Sequence, residues 1–385
     1  MRRTLSLALL AVCFTAAAQD TPKTPPPQPT TPAAPTLQTH QVNADGSITF
    51  RYQNSGATKV VVSTDAVMDP LPMQRDASGV WSVTTPPLPP EYYGYTFLVD
   101  DVPEIDPLNG STIPNLVNPS SRVLVPGHPP APWELTEIPH GAVTKRYLTT
   151  QIARNLPMNQ EPYVVYTPPG YDAKHKGGYP VLYLLHGWSD DASGWTDVGQ
   201  ANLILDSLLA TGKIVPMVVV MPMGYGNYTF VTSGHDVWSK PPVVNENTEL
   251  YSNMLTQEII PAVEREYNIA KGRQNHAIAG LSMGGLESLT IGINHASQFA
   301  YVGGFSAALH NNNFDKLMVD PGQARDLRLL WVACGTSDGL IKPNRDFVAW
   351  AKSKKLPVTP IETPGKHTWL VWRDNLIHFA PLLFR

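Results

Sequence analysis

The chain has 385 residues, 42% of them hydrophobic and 16% charged, with a formal net charge of −4. That length favours two domains. The mild acidic balance gives no basic patch for nucleic acid, which is therefore not an expected partner.

Arg2 and Arg3 precede an apolar stretch over residues 5–18, which ends in Ala16-Ala17-Ala18 before Gln19. A short positive segment, a short apolar run and a small-residue site read as a secretory leader, residues 1–18, cleaved after Ala18. The run is too short to span a membrane. Cys13 is a poor lipidation site because Val12 precedes it. Export to the periplasm or the outside is expected, with no membrane attachment after cleavage. Cys334 is then the one cysteine left, so no internal disulfide is expected, and it reads as a small buried residue at a strand end.

Residues 19–37 are rich in Pro and Thr and form an extended linker. Residues 38–125 carry short alternating or β-branched runs at 47–52, 59–63, 79–84 and 92–99. Asp45-Gly46, Ser55-Gly56, Ser78-Gly79 and Pro86–Pro90 separate them, a spacing that predicts a small all-β sandwich. A second Pro-rich linker, 126–140, leads into residues 141–385. There, apolar runs at 163–166, 181–185, 217–221, 276–279, 301–305 and 329–333 suit buried parallel strands. Residues 249–267 and 345–355 read as helices between them, with Pro261 kinking or bounding the first. The polar and aromatic stretch 229–247 reads as a loop insertion. The alternation predicts an α/β fold with a mostly parallel sheet.

The chemistry concentrates at residues 276–285, His-Ala-Ile-Ala-Gly-Leu-Ser-Met-Gly-Gly. An apolar strand runs into Gly-x-Ser-x-Gly and a helix-compatible segment follows, which is the context of a nucleophile elbow and an α/β-hydrolase fold. Ser282 is the candidate nucleophile. In that fold the acid and then the histidine follow the serine in the chain. His367, in the loop after the strand-like run 358–362, is the candidate base. His295 and His378 read as structural or exposed, and His310 as a weaker rival. Asp338 follows the run 329–333 at the carboxyl end of a strand, where ligand-facing residues collect, and is the candidate acid. A tetrahedral intermediate needs two aimed donors. The Met283 backbone N–H is one. The other is assigned to Trp188, with Gly187 as the alternative, because 184–188 ends a buried strand. His186 precedes the serine and is read as holding that loop. No cluster of metal ligands and no cofactor fingerprint is present, so no cofactor is expected.

Several motifs resemble carbohydrate esterase family 1, the esterase D-like group of feruloyl and acetyl xylan esterases. They are Tyr166-Thr167-Pro168-Pro169-Gly170-Tyr171, Leu184-Leu185-His186-Gly187 with Asp190, Asp191 and Trp195, Gly280–Gly285, Cys334–Asp338 and Gly365–Trp369. The likeness covers residues 147–385. Residues 38–125 resemble an early-set, immunoglobulin-like module akin to carbohydrate-binding module 48, through 79–82, 93–97 and 99–101. Asp101 stands where that pattern often has Gly, and Trp81 and the tyrosines read as core before sugar platform; the module instead helps frame the active-site mouth. The resemblance implies a serine esterase releasing hydroxycinnamate such as ferulate from plant cell-wall polysaccharide, with Trp188, Trp369, Tyr225 and Tyr228 as candidates for lining the acyl site. An acetyl xylan esterase, a siderophore trilactone esterase and a catalytically inactive carbohydrate-binding protein are the alternatives; the complete Ser282, Asp338 and His367 set argues against the last.

Overall fold

The computed structural model describes residues 37–309, 313–319 and 321–385. The leader, all of the first linker except Leu37, Cys13, His310 and Asp320 lie outside the described residues. Residues Gln38–Arg385 form one compact unit.

Residues 38–125 build two antiparallel sheets. One holds His40–Val42, Ile48–Gln53, Val80–Thr84 and Gln74–Arg75, in that spatial order. The other is built on Val60–Thr64, Glu91–Val99 and Ser120–Val125. Every second residue of Glu91–Val99 is buried, so Tyr93, Tyr95 and Phe97 meet Phe50, Tyr52 and Trp81 in one core. Period-two burial follows from the strand pleat. Trp81, Tyr93 and Tyr95 are thus packing residues. The strand Ser120–Val125 was not legible in the sequence, since polar Ser121 takes a buried position and apolar Leu124 a less buried one, which breaks the alternation.

The second part is an eight-stranded mixed sheet with α/β-hydrolase architecture. Its strands are β1 (Ala142–Thr149), β2 (Gln160–Thr167), β3 (Val181–Leu185), β4 (Val218–Pro222), β5 (His276–Leu281), β6 (Tyr301–Phe305), β7 (Leu329–Gly335) and β8 (Val358–Thr363). Their spatial order is β1-β2-β4-β3-β5-β6-β7-β8. From β4 to β8 all neighbours are parallel. The run 163–166, expected to be parallel, instead pairs antiparallel with both β1 and β4. β1 itself escaped the sequence reading because it is almost wholly exposed and carries no apolar run. β3, β4, β5 and β6 are buried along their whole length, as strands covered on both faces must be.

The helices that matter here are α1 (Ala201–Ala210), α2 (Pro241–Met254), α3 (Ser282–Asn294), α4 (Ile341–Ser353) and α5 (Trp369–Phe379). The stretch 229–247 is not an irregular loop. It holds helical turns at Thr229–Thr232 and His235–Ser239 and the first half of α2, with Pro241 and Pro242 at the helix start, where a missing N–H costs nothing. α2 then loosens into a π-turn, Leu255–Ile259, before Ile260–Glu266. Pro261 explains this, because its ring cannot accept the regular i−4 geometry.

The two parts are stitched by polar contacts. Arg373 on α5 is 1% exposed and pairs with Glu91 at 3.0 Å. It also donates to the carbonyls of Tyr92 (3.0 Å) and Val198 (2.9 Å). Lys366 Nζ donates to the Met68 carbonyl at 3.0 Å, and the Leu116 N–H to the Ser189 carbonyl at 2.7 Å.

Candidate active site

β3 sits between β4 and β5, so the chain turns one way after β3 and the other way into β5. The crevice at the carboxyl ends of such strands is where open α/β sheets bind ligands. Ser282 stands there, between β5 and α3, with φ +50°. A side chain rarely adopts this region, and it persists only when the surroundings enforce it. The flanking glycines show how. A Cβ on Gly280 would lie 2.5 Å from the Gly284 carbonyl oxygen, and one on Gly284 would lie 2.5 Å from the His186 carbonyl oxygen. The Gly284 N–H donates to that same His186 oxygen at 3.0 Å. The turn is therefore tight because the loop after β3 presses directly on it.

His367 lies between β8 and α5. Its Nε2 is 3.0 Å from Ser282 Oγ and its Nδ1 is 2.8 Å from Asp338 Oδ2. The Trp372 ring stands edge-on to the imidazole, centroids 4.9 Å apart. Asp338 follows β7 and is buried. Burial alone would raise its carboxyl, but the hydrogen bond and charge of His367, joined by the Leu340 N–H at 2.8 Å, outweigh it and hold the group below its ordinary value. The structure thus brings Ser282, His367 and Asp338 into one hydrogen-bonded chain. Cys334, at the end of β7, is buried and its thiol is pushed up to about 12, chiefly by burial and then by the Asp338 charge, which leaves it unreactive.

The loop after β3 borders the serine. A Cβ on Gly187 would come within 3.4 Å of Ser282 Cβ. His186 is buried, with Nδ1 2.7 Å from the Gly187 carbonyl and Nε2 receiving the Gly224 N–H at 2.9 Å. Those partners require a neutral ring with its proton on Nδ1, and burial lowers its basicity in the same direction. His186 is a brace under the loop that carries Trp188.

A cleft of about 410 Å³ opens over the serine. Trp188 and Trp369 line it, as does Trp372. Tyr225 does not. It is fully buried and donates its hydroxyl to the Asp190 carbonyl at 3.0 Å, so it supports the floor from below. Tyr228 packs edge-on against Tyr225, outside the cleft lining. Neither tyrosine lines the cleft, because the chain after β4 is held against the β3 loop by the Gly224 N–H on His186 Nε2 and the Tyr225 hydroxyl on the Asp190 carbonyl.

Half of the cleft wall was not expected residue by residue. Ser63, Thr64, Asp65, Thr96, Asn115 and Asn118, all from the strands and loops of the N-terminal part, line the opening together with the serine. Asn115 Nδ2 donates to Ser189 Oγ (3.0 Å) and Asp190 Oδ1 (3.1 Å). Burial pushes the Asp190 carboxyl up to about 7 against that hydrogen bond. Asp65 is likewise pushed up to about 7, first by burial, with the Arg373 charge opposing. No local sequence signal marks these residues, because loop polarity is the rule on any surface. Among the described residues no group of His, Cys, Asp or Glu could hold a metal ion, and no helix is long and apolar enough to cross a membrane.

The chain has relatives among known proteins. Residues 157–382 match the Esterase family, described as "Putative esterase". An endo-1,4-beta-xylanase/feruloyl esterase of Xylanibacter ruminicola is 28% identical over 352 residues, 89% of this chain and 46% of that protein. The chain thus spans about half the length of that relative. An acetyl esterase of Caldicellulosiruptor saccharolyticus is 24% identical over 51% of this chain and 80% of its own. Among solved structures, the CE1 ferulic acid esterase of Anaeromyces mucronatus superposes with TM-score 0.57 and 23% identity, covering 65% of this chain and 93% of that one. The enterobactin esterase of Shigella flexneri gives TM-score 0.65 and 18% identity, over 88% and 94%.

Proposed function

This chain belongs to the Esterase family, of the carbohydrate esterase family 1 type, and from that premise we propose that it is an exported serine esterase releasing hydroxycinnamate, such as ferulate, from plant cell-wall polysaccharide. The observation that carries the mechanism is the Asp338–His367–Ser282 chain, closed at 2.8 and 3.0 Å. Ser282 Oγ attacks the ester carbonyl while His367 Nε2 takes its proton, since serine is a weak nucleophile without a base. Asp338 fixes the ring tautomer and stabilises the imidazolium. The oxyanion is received by the Met283 and Trp188 N–H groups, with Gly187 as the alternative to Trp188. His367 returns its proton to the departing alcohol, and the C–O bond breaks to leave the acyl group on Ser282. Water, deprotonated by His367, then attacks the acyl carbon; the acid leaves and Ser282 regains its proton. Trp188 and Trp369 supply aromatic surface for the acyl group.

The feruloyl reading draws its support from the relative aligned over 89% of the chain. Export rests on the leader pattern of residues 1–18. The division into a sandwich (38–125) of early-set, immunoglobulin-like type, a linker (126–140) and a hydrolase (141–385) belongs to the same reading. A second reading, a siderophore trilactone esterase, is favoured by the enterobactin esterase fold, which covers the N-terminal sheets as well as the hydrolase. An acetyl esterase reading predicts acetyl release alone. The test offers purified protein methyl ferulate, acetylated xylan and a catechol trilactone, beside Ser282→Ala. Ferulate release that falls at least 10⁴-fold in the variant is expected. Equal activity of variant and wild type overturns the triad, and acetyl release without ferulate release overturns the acyl assignment.

A further inference from the structure

The loop after β3 carries Gly187 and Trp188, and the residue that follows them is strained. Ser189 has φ +73°, in the left-handed region that a residue with a side chain keeps only when its surroundings enforce it. Within the hydrolase part, the Asp190 N–H donates to the Gly187 carbonyl at 3.2 Å, and the Tyr225 hydroxyl to the Asp190 carbonyl at 3.0 Å. These bonds hold the residues around Ser189. Bonds to Ser189 itself come from the N-terminal part. Asn115 Nδ2 donates to Ser189 Oγ at 3.0 Å, and the Leu116 N–H donates to the Ser189 carbonyl at 2.7 Å.

Asn115 is prepared for this contact by its own turn. Its Oδ1 accepts the Val117 and Asn118 N–H groups at 3.0 and 2.8 Å, the local bonding by which Asn shapes a turn. With the oxygen so engaged, the amide must present its two N–H donors on the opposite side. There they meet Ser189 Oγ and, at 3.1 Å, Asp190 Oδ1. Asp190 is buried, and its other oxygen lies beside Gly187, 3.6 Å from where a Cβ on that glycine would stand. One side chain therefore grips the loop at two points: the strained residue after Trp188, and the carboxyl packed beside Gly187. Neither grip depends on a group of the Asp338–His367–Ser282 chain.

We propose that Asn115 is a positioning residue for ester hydrolysis: from the N-terminal part it holds Ser189 in its left-handed conformation, and so keeps the N–H groups of Gly187 and Trp188 aimed at the oxyanion. The proposal rests on the serine-esterase reading for what the loop does, but not for what holds it. Asn115→Ala removes the grip. Asn115→Ser removes it too, since its hydroxyl is too short to reach Ser189, yet it leaves a weaker acceptor for the turn. Melting curves confirm that each protein is folded. kcat and KM are measured on p-nitrophenyl acetate, a small activated ester. Deleting one oxyanion donor costs about 10²–10³ in kcat, so a displaced donor should cost about 30-fold, with KM changed by less than about three-fold. Ser189→Gly is then added to each variant. Glycine populates positive φ as readily as negative φ, so at least about five-fold of the lost kcat should return. General damage to the interface would not be repaired in this way. Unchanged kcat in both variants overturns the proposal, as does a rise in KM with kcat intact, which would make Asn115 a substrate contact. A loss that Ser189→Gly does not repair also overturns it. Amide hydrogen exchange over residues 187–194 tests the grip without any substrate. Exchange at least about ten-fold faster in Asn115→Ala is expected, and unchanged exchange overturns the grip. Faster exchange in a protein whose native form hydrolyses no ester sustains the grip and overturns the esterase reading instead.

Discussion

Replacing Arg373 with Met puts the junction between the two parts of the molecule to a quantitative test. Arg373 is buried against Glu91, and Glu91 is already raised from its ordinary value because burial outweighs the arginine charge. Without that charge the Glu91 carboxyl folds only in its neutral form. Taking up a proton at pH 7, for a group that ionises near 4.5 when exposed, costs up to about 3.4 kcal/mol at about 1.36 kcal/mol per pH unit. The Tyr92 and Val198 carbonyls also lose their donor, which adds roughly 1–3 kcal/mol that does not depend on pH. The expected destabilisation at pH 7 is therefore about 4–6 kcal/mol, within the range for breaking one side of a buried ion pair. A carboxyl whose folded value is raised contributes stability below its unfolded value and loses it as pH rises. Hence the deficit of Arg373→Met shrinks by up to about 2.7 kcal/mol between pH 7 and pH 5. Denaturant unfolding at both pH values measures this, with Arg373→Met/Glu91→Gln as the companion. A deficit independent of pH, or a double variant no more stable than the single one at pH 7, refutes the buried-charge argument.

Gly284→Ala forces a Cβ to within 2.5 Å of the His186 carbonyl oxygen. The loop carrying Trp188 must shift, so kcat on a small ester falls by on the order of 100-fold; near-native turnover would show that the loop yields freely. Asp338→Asn keeps the shape of the acid but removes its charge from His367, and a loss on the order of 10⁴-fold in kcat is expected, with the melting temperature checking the fold. Asp190→Asn removes a buried carboxyl pushed up to about 7. The wild type loses stability as pH rises from about 4 to 7 through this group, by on the order of 4 kcal/mol, and the variant does not. Unfolding curves that stay parallel from pH 5 to pH 8 would contradict the assignment.

The residues of the hydrogen-bonded chain were legible because each stands at a place where the backbone constrains the sequence. The elbow needs its two glycines, Asp338 follows a short apolar strand, and His367 follows the strand-like run 358–362. The strands β3 to β7 announced themselves by continuous apolar runs. What escaped was decided by packing across long separations. β1 pairs with β2 through backbone bonds while its side chains face water, so no periodicity betrays it. Tyr225 reads the same as Trp188 in a string of letters, and only the path of the chain after β4 puts one below the floor and the other in the wall. The polar residues at 63–65 and 115–118 look like any loop until the sheets that hold them are docked through Arg373, Lys366 and Asn115.

That docking separates two properties that usually change together. The turn 63–68 contributes a wall of the opening yet no atom of the Asp338–His367–Ser282 chain. The side chains of Ser63 and Thr64 can be exchanged without removing an atom of that chain, whereas the length of the turn is tied to the histidine loop by the Lys366 bond to the Met68 carbonyl. Natural variation or laboratory recombination at those side chains therefore offers a route to a new range of esters.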